Sequence, residues 1–365
     1  MSGDWAARAG TVEDAIRRRF VRRLAGVVPG TRIGRVCWPR PLPIRPWPWN
    51  YWWQAHLLDC LVDAHRRAPQ PWRAVEIAAL ARTVRLRNLG SWTNDYYDDI
   101  AWFGLAVQRA GPLARHSAPS ALAAITGRLH AGWTPDGGGG IWWRRGDDFK
   151  NAPANGPAAI LAARAGDLDF AIKITDWIAA TLVDPQTGLV RDGVRLDPDG
   201  TIRTVEATTY TYCQGVYLGA CVELAERDGH PRWAERAATV LNAITTMAGP
   251  DGVIPGFDDG GDGGLFNGIL ARYLADTALR RPELTALAAP LVLASAEAAW
   301  EGCIDLDHPM DGGPVFAPDW RRPARTPRPG VPEADLSVQL SAWMLLEAAA
   351  RTAAAFAPQT PTDPA

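Results

Sequence analysis

The sequence predicts an all-α fold, a single (α/α)6 toroid of helical hairpins with a small β-hairpin set into one long loop. Three observations predict it. Apolar residues recur at helical spacing in a dozen segments, while convincing strand alternation is nearly absent. The connections between those segments alternate between short and long. The chemically unusual residues sit just after the long connections, at the starts of every second helix.

The helical segments run over residues 12–26, 50–67, 71–86, 96–110, 118–131, 153–164, 168–183, 212–227, 231–247, 264–279, 283–301 and 335–354. Links that leave even-numbered segments are short: Pro69-Gln70-Pro71, Gly166 and Asp228-Gly229-His230. Links that leave odd-numbered segments are long and rich in Gly, Pro, Asp or Trp, at 27–50, 132–152, 184–211, 248–263 and 302–334. Antiparallel hairpins joined in sequence place every long link at the same end of the assembly. One rim is therefore plain and the other elaborated. Inside the 184–211 link, residues 188–207 alternate around Asp197-Pro198-Asp199-Gly200, which reads as a β-hairpin. One domain is expected over residues 1–356, followed by a disordered tail at 357–365.

The even helices open on distinctive residues. The second begins Tyr51-Trp52-Trp53, the fourth carries Asp98-Asp99, and the sixth follows Lys150-Asn151 and leads to Asn155. The eighth opens Thr211-Tyr212-Cys213-Gln214-Gly215, the tenth Gly264-Leu265-Phe266-Asn267-Gly268, and the twelfth Ser337-Val338-Gln339. Six such starts at one rim imply an inner ring of parallel helices around one cleft.

Composition narrows the partner. A formal net charge of −2 and a pI near 6.3 give no overall electrostatic footprint for nucleic acid or an anionic membrane, so a neutral ligand is expected. Cys37, Cys60, Cys213, Cys221 and Cys303 are odd in number and scattered, which argues against a disulfide framework or a zinc site. No metal or cofactor is expected. Residues 1–20 lack an apolar signal core and no later run is long enough to span a bilayer, so the chain reads as a cytoplasmic monomer, or as a secreted one if a leader was removed.

Asn94-Asp95-Tyr96-Tyr97-Asp98-Asp99-Ile100-Ala101-Trp102 is the most informative stretch. Adjacent acids repel, and large amphipathic rings beside them mark a cleft wall rather than a solvated surface. Helix capping explains one Asp, and Asp95 is placed to serve as that cap, which leaves Asp98 and Asp99 surplus. Successive helical residues hold their Cβ atoms on the order of 5 Å apart. That is compatible with the roughly 5–5.5 Å carboxyl separation of retaining glycosidases. A metal-diphosphate site would need further acids one turn on, where Trp102 and Phe103 stand.

Tryptophan is abundant, and Trp38, Trp47, Trp49, Trp52, Trp53, Trp133, Trp142 and Trp143 cluster in or beside the long links. The Gly137–Gly140 run before Ile141-Trp142-Trp143 lets a backbone approach a ligand while the rings offer a stacking platform. Asp258-Asp259-Gly260-Gly261-Asp262 lacks the alternate spacing and terminal Glu of a calcium loop. It reads as a turn, with hydrogen bonding to sugar hydroxyls as a further reading.

Taken together these residues resemble glycoside hydrolase family 76, the bacterial and fungal endo-α-1,6-mannanases. Tyr96-Tyr97-Asp98-Asp99-Ile100-Ala101-Trp102 resembles its Asp-Asp motif. Gly138–Trp143, Lys150-Asn151 through Asn155, Tyr210–Gly215 with Leu218-Gly219-Ala220, and Leu265–Leu274 with Arg272-Tyr273-Leu274 follow in family order. Two departures stand out: Cys213 where the family usually has Asn, and Asn267 where it usually has Lys. The resemblance implies hydrolysis of α-mannan or manno-oligosaccharides by a retaining double displacement, with Asp98 as nucleophile and Asp99 as general acid/base. It also implies a cleft lined by Asn94, Tyr97, Trp142, Trp143, Lys150, Asn151, Asn155, Tyr212, Gln214, Asp258, Asp259, Phe266 and Arg272. The alternatives are another toroidal sugar enzyme (an exo-glycosidase, uronyl hydrolase or epimerase) and a non-catalytic glycan-binding protein. A uronyl substrate would call for clustered basic residues at the cleft, and intact Asp98-Asp99 argues against a mere binder.

Overall fold

Helix-start chemistry sets the boundaries of the elements. A computed structural model of the chain describes residues 4–40, 49–256 and 259–356. Trp47, Asp258 and the tail at 357–365 lie outside the described residues. The helices are α1 (Trp5–Phe20), α2 (Tyr51–Arg67), α3 (Pro71–Arg87), α4 (Tyr97–Ala110), α5 (Ala118–Ala131), α6 (Ala152–Ala165), α7 (Leu168–Thr181), α8 (Thr211–Arg227), α9 (Pro231–Ala248), α10 (Phe266–Arg280), α11 (Thr285–Gly302) and α12 (Leu336–Phe356). Asn151 caps α6 and Asp167 caps α7 through side-chain oxygens, while Pro71 and Pro231 open α3 and α9 where a missing N–H costs nothing.

Only the first helix departs widely from its expected span. Asp4 accepts the Ala7 N–H at 2.9 Å and starts α1 early. The chain then leaves helical geometry at Val21-Arg22, which forms β1 and pairs antiparallel with β2, Ile33-Gly34. Strand β3 (Phe149–Asn151) adds itself to the expected hairpin of β4 (Gly193–Leu196) and β5 (Ile202–Glu206), making a three-stranded sheet. Strands β6 (Ile304–Leu306) and β7 (Gly313–Val315) form a further pair.

The even helices pack in sequence from α2 to α12, and α12 closes on α2, giving the inner ring of an (α/α)6 toroid. The odd helices form the outer layer, each against an inner one, with α1 on α12. Glycine permits the closest inner contacts. A Cβ on Gly215 would stand 2.9 Å from the Leu270 Cα, and one on Gly268 would stand 2.6 Å from the Ser341 Cα.

Four inner helices share one device at their fourth residue. The carboxamide of Gln54 accepts the Gly34 N–H at 2.7 Å and donates to the Gly34 carbonyl at 3.0 Å. Asn155 does the same with Ile141, Gln214 with Val190 and Gln339 with Phe316. Each amide also donates to a carbonyl at its own helix start: Trp49, Asn151, Tyr210 and Glu333. Asn155 and Gln214, expected at the cleft, are thus buried clamps that mimic a strand partner for the preceding loop.

Arg272 is likewise structural. It and Arg109 bracket Asp59 and Asp63, each guanidinium touching both carboxylates. Burial opposes ionisation of Asp63, but Arg109 and Arg272 outweigh it and hold that acid well below the usual range. The four charges balance and tie α2, α4 and α10 together.

Replacing Gln214 with Leu should remove three hydrogen bonds and leave the buried Val190 amide and carbonyl unpaired. The expected loss is about 2–4 kcal/mol in urea unfolding. A loss below about 1 kcal/mol would show that the clamp is dispensable.

Candidate active site

The first turn of α4 brings the acids to the elaborated rim. Tyr96 is the N-cap residue without a side-chain cap bond, so Asp98 and Asp99 occupy the second and third helical positions. Asp95 does not cap the helix. It is exposed and pairs loosely with Arg145 at 3.6 Å, because Asn94 Oδ1 takes the Tyr96 N–H and turns the chain first. The segment is pinned by the Tyr97 N–H to the Trp143 carbonyl and by the Arg145 N–H to the Asp95 carbonyl.

Asp98 and Asp99 are half-buried and differently supported. Asp98 Oδ1 accepts the Asp99 N–H at 2.9 Å, and Oδ2 accepts the Trp143 indole N–H at 3.0 Å. Asp99 Oδ2 accepts from Asn94 Nδ2 at 2.6 Å. Burial pushes the Asp98 carboxyl up to about 7, against the pull of its two donors. Asp99 lies well above its ordinary value, through burial first and the Asp98 charge second. A third carboxylate, Asp262, raises both.

Asp262 belongs to the 3₁₀ turn 261–265 before α10, and its Oδ1 accepts the indole N–H groups of Trp52 at 3.0 Å and Trp53 at 2.8 Å. The sequence places it only within the 258–262 stretch, as a turn or a contact to sugar hydroxyls, and not beside the acid pair. Its signal was indirect: two adjacent tryptophans at a helix start need an acceptor, and the 258–262 acids could supply one. Asp259 is exposed just before that turn, and Asp258 lies outside the described residues.

Aromatic side chains flank the acids. Trp143 meets Tyr96 edge-on at 5.2 Å, and Tyr212 stacks on Phe266 at 3.8 Å with planes 9° apart. The Asp98 charge reaches Tyr212, whose hydroxyl proton is held tightly, chiefly by burial. Each ring pair offers the kind of apolar face on which a sugar can stack. Asn94, Trp143, Tyr212 and Phe266 thus gather with Asp98, Asp99 and Asp262.

Other expected cleft residues do not join them. The Tyr97 ring is buried flat on Gly132, where a Cβ would come within 2.3 Å of it. Asn151 is buried and caps α6. Lys150 is fully buried, its Nζ bonded to the carbonyls of Thr134, Asp136 and Gly139 and to the Thr134 hydroxyl within 3.0 Å. Burial lowers it to about 8. It moulds the Gly137–Gly140 loop from within, where Gly139 and Gly140 lie close against Trp177 while Gly137 meets Leu196. A Cβ on Gly140 would lie 2.7 Å from that indole. Trp142 leaves the ribbon opposite Trp143, with Lys150 Nζ 4.5 Å from its ring, and lines a separate surface cavity with Asp136, Asp147 and Leu196.

Cys213, buried, turns its thiol to Asp192 at 3.7 Å, and Asn267 accepts the Thr211 hydroxyl at 2.8 Å. Cys213 is thus paired within the rim, whereas the buried Asn267 Nδ2 has no hydrogen-bond partner. Among the described residues no group of three His, Cys, Asp or Glu side chains is gathered as for a metal ion.

The model of Glycosyl hydrolase family 76 matches residues 9–349. The chain is 29% identical to the mannan endo-1,6-alpha-mannosidase DCW1 of Candida glabrata over 69% of its own length and 64% of that protein's. It is 28% identical to the Saccharomyces cerevisiae DCW1 enzyme over 69% of its length and 63% of the relative's. It thus spans a little under two thirds of these curated relatives. Among solved structures, it is similar to an inactive variant of the alpha-1,6-mannanase of Salegentibacter sp. HEL1_6, with two consecutive aspartates replaced by asparagine, in complex with alpha-1,6-mannotriose. The TM-score is 0.82 at 28% identity, covering 95% of this chain and 99% of that one. With the family model covering nearly the whole chain and the toroid shared with this mannanase, the chain belongs to glycosyl hydrolase family 76.

Proposed function

We propose that the protein is a retaining glycoside hydrolase that cleaves α-1,6-mannosidic linkages in mannan or mannose-containing glycans. The carrying observation is the pair of neighbouring carboxyl groups with unequal hold on a proton, flanked by aromatic rings. Asp98, with a donor on each oxygen, is the better anion and acts as nucleophile. Asp99, deprived of a cation and faced by two other acids, keeps its proton and acts as general acid.

Asp99 passes its proton to the glycosidic oxygen while Asp98 attacks the anomeric carbon, giving a covalent glycosyl-enzyme. The second step reverses the roles. Asp99, now ionised, takes a proton from water, which displaces Asp98 and restores the starting configuration. Asp262 adds negative charge where an oxocarbenium-like centre forms, and the Trp52 and Trp53 indoles hold it in place. The α-1,6-mannose assignment rests on the relatives' activities and on the mannotriose complex of the similar mannanase.

Asp98→Asn and Asp99→Asn should each lose a factor on the order of 10²–10⁴ or more in release of reducing ends from α-1,6-manno-oligosaccharides. Turnover near the wild-type rate in either variant would sink the assignment. Because both folded-state values lie above those of an unfolded Asp, ionisation of the pair costs stability as pH rises from about 4 through 7. Each Asn variant should therefore melt higher than wild type at pH 8, and that advantage should shrink toward pH 4.

The pH–rate profile should rise through the Asp98 value of about 7 and fall through the higher value of Asp99. Trp143→Phe removes a donor from Asp98 and should move the rising limb to higher pH. Asn94→Ala removes the donor of Asp99 and should move the falling limb to higher pH. Unchanged limbs in both variants would contradict these roles.

Direct attack by Asp98 also fixes the stereochemistry. NMR of the first product from an α-linked substrate should show the α anomer before mutarotation. If the β anomer comes first, an acid such as Asp262 activates water instead and Asp98 is not the nucleophile.

A further inference from the structure

Two segments are charged very differently from the chain as a whole. Residues 15–40 and 71–93 hold twelve arginines and one glutamate, in a protein of net charge −2. Some of these arginines are internal: Arg19 is buried against the carbonyls of Asp311 and Pro314, and Arg73 pairs with Glu13. Others surface together. Arg17, Arg18, Arg22, Arg23 and Arg32 line one open cavity of about 460 Å³, in which Glu76 is the single acid. Glu76 is already engaged by Arg17 at 2.7 Å and Arg32 at 3.2 Å, so the face keeps a positive surplus.

Exposed apolar side chains gather on the same face. Ten large hydrophobic residues are exposed among the described residues. Six of them are Val27, Val28, Trp72, Val75, Leu86 and Leu89, with Val27 71% and Val75 70% accessible. The parts are continuous. The Arg32 N–H donates to the Thr83 hydroxyl at 2.9 Å, Arg82 reaches the Gly30 carbonyl, and the Arg17 guanidinium lies 3.8 Å from the centre of the Trp72 ring. At about 100° per residue, Trp72, Val75, Arg82 and Leu86 fall within an arc of about 80° on α3.

We propose that this face, built from the end of α1, the turn at 23–32 and the outer side of α3, docks the protein on an anionic lipid surface. The arginines meet headgroup phosphates while Val27, Val28 and Val75 enter the interfacial layer, the combination that peripheral membrane binding requires. A soluble polyanion would satisfy the arginines and leave the valines in water. Among the described residues no helix is long and apolar enough to cross a membrane, so attachment is peripheral. The 88–96 connection carries Leu89 from this face to the start of α4.

Co-sedimentation with vesicles tests the proposal independently of the hydrolase reading. The full chain should pellet with phosphatidylcholine vesicles containing about 30 mol% phosphatidylglycerol and not with phosphatidylcholine alone. Raising NaCl from about 0.1 to 0.5 M should release most of it. Arg18→Ala combined with Arg23→Ala should weaken binding about 20-fold. Val27→Ser combined with Val28→Ser should weaken it about tenfold while hydrolysis of a soluble manno-oligosaccharide is unchanged. Equal binding to neutral vesicles, or no binding at low salt, would overturn the proposal. So would undiminished binding by the valine variant together with full competition by dextran sulfate, which would identify the partner as a soluble polyanion.

Discussion

The carboxamide clamp at the fourth residue of an inner helix is the constraint on which the rim depends. A long loop that returns to a buried helix start carries an N–H and a carbonyl that must be paired. Gln54, Asn155, Gln214 and Gln339 supply both partners from one side chain. The fourth residues of α4 and α10 are Ile100 and Ile269, which cannot do this. Those two helices stand opposite each other in the ring and carry the residues proposed for the chemistry: Asp98 and Asp99 on one, Phe266 and the preceding Asp262 on the other. Four clamps thus hold the frame, and the two unclamped starts leave room for function.

Carboxylates receive two opposite treatments inside the same bundle. Asp59 and Asp63 are enclosed by Arg109 and Arg272, so their charge is neutralised where water is excluded. Asp98 and Asp99 face Asn94, Trp143 and Asp262, and neither forms an ion pair with a Lys or Arg among the described residues. A guanidinium beside Asp99 would strip its proton and end its use as an acid. The cost of the unpaired pair is borne by the surrounding core, as is usual for groups whose proton affinity has been raised for use.

Most of the fold was legible because helical periodicity and the alternation of loop lengths are both written along the chain. The first helix was not, since Asp4 and the β1–β2 pairing act across positions that periodicity alone does not weigh. The placing of the acids at 98 and 99 in the first turn of a helix at the elaborated rim was legible from the sequence. Lys150, Asn155, Gln214 and Arg272 were misread for a common reason. Each is polar and near a helix start or within a family motif, but sequence does not say which way a side chain turns. The fourth residue of an inner helix faces its loop, while the second and third of α4 face the cleft. Asp262 was hidden because its role depends on Trp52 and Trp53, some two hundred residues away in the chain.

Net charge conceals a local asymmetry. A total of −2 averages an arginine-rich pair of segments against a strongly acidic remainder, and only the three-dimensional contacts join 15–40 to 71–93. Screening confines each charge to neighbours within roughly 8–10 Å, so a partner responds to the local surplus and not to the sum. The acids concentrated at the cleft and the arginines beside the α3–α4 connection therefore act as separate surfaces. One suits the uncharged sugar of the proposed reaction, and the other suits the proposed layer of phosphates. A protein polarised in this way approaches an anionic surface in a preferred orientation, because turning the arginine face away exposes its acidic remainder to repulsion.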